Sequence, residues 1–165
     1  MSRFNFIAAI AACLLLASCG NIADQVAVNG YSLEKVKDLG MDGSQLSFVT
    51  NLVLDAENES CSNIEFKKGS AVLYNRRGHK IATATTVDER RHVLHRKKSE
   101  EVKIPVRIEF ENAIAALSLA NLNVDKIEGK EYTIDYDCVV KAGPASKRFK
   151  KKGVPVAELL EKLQK

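Results

Sequence analysis

Four kinds of side chain in this sequence could do chemistry: thiols, imidazoles, paired carboxylates and clustered cations. Thiols stand at Cys13, Cys19, Cys61 and Cys138. Cys19 is the most suggestive, because Leu16-Ala17-Ser18 and Gly20 surround it with an apolar run on one side and small residues on the other. Imidazoles stand at His79, His92 and His95. His92 and His95 form an H-x-x-H pair, but positions three apart on a strand point to opposite faces, so a shared metal is not expected. Asp135 and Asp137 share one face of an alternating segment and read as solubilising rather than catalytic carboxylates. No nucleophile elbow, phosphate-binding loop or dinucleotide fingerprint occurs. The chain is therefore expected to be no enzyme and to use no cofactor.

The cations fall in two runs. DERRHVLHRKK brings together Arg90, Arg91, Arg96, Lys97 and Lys98, and SKRFKKKG brings together Lys147, Arg148, Lys150, Lys151 and Lys152. Lysines on a sheet edge oppose edge-to-edge aggregation, and cations near a membrane attract anionic headgroups. Both uses are open to these residues. The formal charge of +4, of which Arg3 accounts for one, is a mild excess, far from what would by itself point to nucleic acid.

The first eighteen residues differ from the rest. Arg3 is followed by an apolar run from Phe6 to Leu16 and then small residues. Eleven residues rise only about 16 Å as a helix, roughly half a bilayer core, so a signal peptide fits and a spanning helix does not. Leu16-Ala17-Ser18-Cys19 resembles the lipobox of bacterial lipoproteins. That resemblance implies diacylglycerol on the Cys19 thiol, cleavage before Cys19 and acylation of the new amine. Several acyl chains hold a protein on a membrane where one holds weakly. Gly20 and Asn21 follow without an aspartate beside the cysteine, which by analogy with enteric lipoproteins gives the outer membrane as the address.

The elements that must carry these residues are dominated by a period of two. Leu46, Phe48, Leu52, Leu54 and Ala56 share one face, with Thr50 as the polar exception. Val102, Ile104, Val106, Ile108 and Phe110 alternate with polar residues, and so do Tyr132, Ile134, Tyr136, Cys138 and Val140. Such alternation marks antiparallel strands with one face buried. Residues 31–39, 62–75 (with Ile64, Phe66, Val72 and Tyr74 inward), 79–87 and 92–96 read as further strands. Asn75-Arg76-Arg77-Gly78 reads as a hairpin turn. Pro105 offers no ladder donor, which places its strand at an edge or turns its free side there. Glu111–Asn121 reads as a short helix carrying Ile114 and Leu117. Val156, Leu159, Leu160 and Leu163 form a helical stripe, with Pro155 in the first turn. About seven short strands over about 120 residues argue for a β-sandwich.

The order of these pieces resembles the group-two late embryogenesis abundant proteins, whose unit is also described as the water stress and hypersensitive response domain. LVLDAENESCSNIEF stands at that family's Asn-Pro-Asn turn, with Asn58 at the first Asn and Glu59 and Ser60 departing from Pro-Asn. AVLYNRRGHKIA matches its hairpin, VKIPVRI its proline-containing strand and KEYTIDYDCVVKAG a later strand. The resemblance spans roughly residues 31–154 and implies a mainly β fold, an antiparallel seven-stranded immunoglobulin/fibronectin type III-like sandwich. In such a sandwich the strand starting near Ser62 lies antiparallel to residues 131–141. That arrangement brings Cys61 towards Cys138 as a candidate disulfide, the alternative being two separate thiols.

The expectation is thus a signal peptide over residues 1–18, a lipidated tether over 19–30 and a sandwich domain over 31–165. The partners would be the membrane, through acyl chains on Cys19, and an envelope protein or lipid; nucleic acid is not expected. The function would be binding or stress protection at the membrane surface. A lipid-handling module is the rival, and it would need a continuous apolar cavity.

Overall fold

The structure, a computed structural model, describes residues 25–87, 90–121, 129 and 131–163. Nine strands and two helices occur among them. The strands are β1 (Val26–Leu33), β2 (Lys37–Asp42), β3 (Gln45–Asn58), β4 (Ile64–Asn75), β5 (Lys80–Thr86), β6 (His92–Leu94), β7 (Lys98–Phe110), β8 (Tyr132–Ala142) and β9 (Ala145–Pro155). The helices are α1 (Ala113–Ala120) and α2 (Val156–Leu163). All pairings are antiparallel, and the ladders join the strands into one curled sheet in the order β1-β3-β7-β5-β4-β8-β9. β2 continues along β3 where β1 leaves it, and β6 continues along β4 where β5 leaves it. The chain is therefore mainly β and antiparallel, with two short helices.

The long strands form where alternation is strictest. In β7 every second side chain from Val102 to Phe110 is buried, and in β3 the buried set runs from Phe48 to Asn58. The two strands pair along their full length. Phe48 and Phe110 meet across them with ring centroids 6.0 Å apart, within the range where aromatic pairs attract. Each fully buried side chain of this kind contributes about 1.5–3 kcal/mol. Ile134, Tyr136, Cys138 and Val140 of β8 close the core from the other side.

Thr50, the polar exception, is buried too. Its hydroxyl donates to the Glu34 carbonyl at 2.8 Å, in the break between β1 and β2. The Glu34 carboxylate accepts from Asn51 Nδ2 at 2.7 Å and from Lys103 Nζ at 2.5 Å, so the break is tied to β3 and β7. The lysine and the amide hold that carboxyl below its ordinary pKa.

Several expectations need correction. β4 begins with Ile64 and Phe66 inward, but a bulge between Phe66 and Lys68 shifts the register, and Ala71 and Leu73 are buried rather than Val72 and Tyr74. β7 is an interior strand, not an edge. The free side of Pro105 nevertheless holds: its carbonyl accepts from Val87 N on the β5 side, beyond the last β5–β7 pair at Thr86 and Val106. The missing N–H falls where the β5 ladder has ended. In α1, capped by Asn112 Oδ1 on Ala115 N at 2.8 Å, Leu119 is buried while Ile114 and Leu117 are exposed. An alanine-rich helix has too little apolar contrast to fix its rotation. α2 packs Val156, Leu159 and Leu160 into the core, and Pro155 ends β9 just before it.

The expected tether is also shorter. Val26 and Val28 start β1 inside it, pairing with Asn58 and Ala56. The residues expected to form a signal peptide, and Cys19, lie outside the described residues.

Candidate functional site

One end of the sheet brings together several of the singled-out residues from distant parts of the chain. Val26, Asn58 and Lys98 lie abreast on β1, β3 and β7, and Gln25 accepts through its carbonyl from Glu59 N at 2.8 Å. Three loops meet there: residues 59–63, the turn 95–97 and the β8–β9 turn at 143–144.

Asn58 builds this end. It is fully buried, and its Nδ2 donates to Ser62 O at 2.9 Å and Leu94 O at 3.1 Å, while its Oδ1 accepts from Ser60 N at 3.0 Å. The Ser60 hydroxyl donates to Ser62 O at 2.8 Å. A buried amide satisfied on both sides fixes a loop that no apolar contact could hold. Asn63 then carries the link outward: its Oδ1 accepts from Arg96 N at 2.9 Å, and its carbonyl accepts from Gly143 N at 3.4 Å. The turn needs Lys97 at φ 56, the left-handed region, and its ammonium donates to Glu59 O. Glu100 accepts from His95, through both the backbone N–H and Nδ1, and this holds its carboxyl below the ordinary range.

The first basic run thus ends in an exposed cluster of Arg96, Lys97 and Lys98 on this end. Arg90 is exposed nearby in sequence, and Arg91 lies 3.5 Å from Glu65 Oε2. The second run is placed differently. Lys147 stands three residues beyond Pro144, with Nζ 5.1 Å from the Phe149 ring centroid. Arg148 forms a two-pronged pair with Asp137, Nε to Oδ1 at 2.7 Å and Nη2 to Oδ2. That guanidinium holds Asp137 below its ordinary pKa. Lys150, Lys151 and Lys152 are exposed along β9, which forms one edge of the sheet. Asp135 accepts from Gly153 N at 2.8 Å, where Gly153 sits at φ 63 in a bulge between the pairs Ile134–Val154 and Tyr136–Lys151. The two aspartates expected only to solubilise therefore hold the edge strand in register.

The candidate disulfide is not formed. β4 and β8 are antiparallel, as expected, with Ile64 opposite Ala142. The register, however, sets Cys138 opposite Gly69, with a Cβ at Gly69 only 3.3 Å from Cys138 Cβ. Cys61 lies eight residues before Gly69, in the loop ahead of β4, so the strand pairing does not bring it opposite Cys138. Cys61 is an exposed thiol and Cys138 a buried one. His92 pairs with Phe66 in the β6–β4 ladder, and His79 donates its N–H to Asn75 Oδ1 at 3.0 Å in the hairpin turn. Among the described residues no group of three metal-ligating side chains occurs.

Among the described residues, core side chains line two small cavities. One, about 20 Å³, lies among Ala71, Leu73, Ala82, Ile108, Leu119 and Ile134; the other, about 10 Å³, lies beside Phe66, Ile104 and Cys138. Each holds a water at most. A larger, open depression of about 920 Å³ lies at the far end of the sheet, beside Arg76, Arg77, His79, Glu131 and Tyr132. Its described lining offers no serine, threonine or cysteine.

Neither a family model nor a curated protein matches the chain. Among solved structures, a protein from Archaeoglobus fulgidus is similar at 18% identity and TM-score 0.37, over 73% of this chain and 94% of that one. A structural-genomics target solved by X-ray is similar at 6% identity and TM-score 0.38, over 80% and 84%. The solution structure of a protein named as late embryogenesis abundant is similar at 14% identity and TM-score 0.30, over 91% and 87%. No residue of this chain takes a role from them at these TM-scores.

Proposed function

We propose that this chain is a non-enzymatic lipoprotein of the bacterial cell envelope, a folded β module held at a membrane surface by acyl chains on Cys19. The finer fold reading, a curled sheet working as a sandwich like that of the group-two late embryogenesis abundant proteins, belongs to the same proposal. The observation that carries it is the spacing at the start of the chain. A leader ending in Leu16-Ala17-Ser18 runs into Cys19, and β1 begins only seven residues after that cysteine, at Val26. A tether so short keeps the module against the surface, which suits binding or protecting neighbours there.

The rival, a module that shelters an acyl chain, needs an apolar cavity of roughly 300 Å³ or more. The two core cavities, about 20 and about 10 Å³, favour the first reading. The deciding experiment is metabolic labelling with a palmitate analogue. The wild-type chain should carry label and sediment with membranes, and Cys19→Ala should lose both. Unchanged membrane retention in Cys19→Ala would overturn the proposal.

A further inference from the structure

We infer that the end of the sheet where β1 begins is a membrane-docking face, on which Arg96, Lys97 and Lys98 meet the phosphates of an anionic phospholipid surface. The inference rests on the anchored reading and adds to it an orientation. Val26 and Lys98 are two ladder steps apart, about 10 Å. From Cys19 to Gln25 the chain can span at most about 20 Å. An anchor at Cys19 therefore forces this end, and not another, to lie closest to the headgroups.

Charge complementarity names the occupant. Three successive cations, Arg96, Lys97 and Lys98, are exposed at and just after a turn that Asn58 and Asn63 hold, with the Lys97 ammonium bonded to the Glu59 carbonyl. Glu57, Glu59 and Glu100 lie at the same end, and of these the Glu100 carboxylate is turned onto His95. The attraction falls off over a Debye length, roughly 8 Å at physiological salt. Lys150, Lys151 and Lys152 start six residues beyond Pro144, about 20 Å along β9. They carry the same charge and lie outside the field of a surface touching the docking end.

The test uses the chain beginning at Gly20, which retains every residue of the described fold and lacks the anchor. Co-sedimentation is measured with vesicles of phosphatidylcholine alone and with phosphatidylglycerol added. The chain should bind only the anionic vesicles, and binding should weaken as salt rises. The triple variant Arg96→Gln, Lys97→Gln, Lys98→Gln should lose about fivefold in affinity per cation, up to on the order of a hundredfold. Lys150→Gln, Lys151→Gln, Lys152→Gln should change it less than about twofold, although it removes the same charge. Equal losses in the two variants, equal binding to neutral vesicles, or no binding at all would each overturn the inference. An environment-sensitive fluorophore on Cys61, exposed on the same end, gives a readout free of mutation at the face. It should shift with anionic vesicles, while the same label on Arg77→Cys in a Cys61→Ser chain should not; matching responses would refute the orientation. Acyl labelling of the full chain is read separately, so loss of the anchor and loss of the docking face give different results.

Discussion

The two basic runs have nearly the same composition and lead different lives. Along β9 the cations serve an edge strand: Arg148 grips Asp137, Lys147 covers Phe149, and Asp135 pins the bulge at Gly153. At the turn 95–97 the backbone is held by the buried Asn58 amide and by Asn63, and Arg96, Lys97 and Lys98 are exposed. Composition alone cannot separate these uses, because both runs are lysine and arginine next to an aromatic or a histidine. Register separates them. In one run the charges face partners across a ladder, and in the other they cap a rigid end.

The comparison breaks most sharply at Asn58. Asn58→Ala removes three hydrogen bonds and leaves Ser60 N, Ser62 O and Leu94 O without their buried partner, so it should cost about 2–4 kcal/mol of stability by denaturant unfolding. Hydrogen exchange should rise in residues 58–63 and 94–97 while β9 stays protected. A uniform rise would mean that the two regions are one cooperative unit. Gly153→Ala is the matching test on the edge. Nothing lies within 4 Å of an added Cβ, so only the left-handed backbone is strained, at about 1–2 kcal/mol, and exchange should rise in β9 alone. The smallest effect belongs to the surface carboxylates. Folding lowers the pKa of Glu34, Glu100 and Asp137, so near pH 4 the unfolded chain holds more protons than the folded one. Stability should therefore fall as pH drops from about 5 through the ordinary carboxylate range. Arg148→Gln should weaken that acid dependence slightly while leaving the neutral-pH midpoint almost unmoved, since exposed ion pairs contribute little.

Legibility in the sequence followed the strictness of alternation. β3, β7 and β8 were readable residue by residue because each keeps an unbroken period of two over seven positions or more. β4 was found but its second half was turned over, since one inserted residue at the Phe66–Lys68 bulge reverses every side chain after it and leaves no mark in composition. The start of β1 was hidden because Val26-Ala27-Val28 is too short to show a period. The Cys61–Cys138 pairing failed for a related reason: strand direction is a matter of topology, but register depends on bulges and turns. At the candidate site, Asn58 could be singled out from the turn resemblance, and the basic runs from charge alone. That Val26, Asn58 and Lys98 share a row could not be, because they come from strands more than thirty residues apart.

The first strand has a mechanical consequence. A pull on the chain ahead of Gln25 acts along β1, and β1 is laddered to β3 from Val26–Asn58 to Leu33–Leu52. The load is shear, shared by all those rungs at once, rather than a peel that opens them one by one. A chain attached through its first residues and tugged by a moving membrane would be gripped where its sheet resists force best.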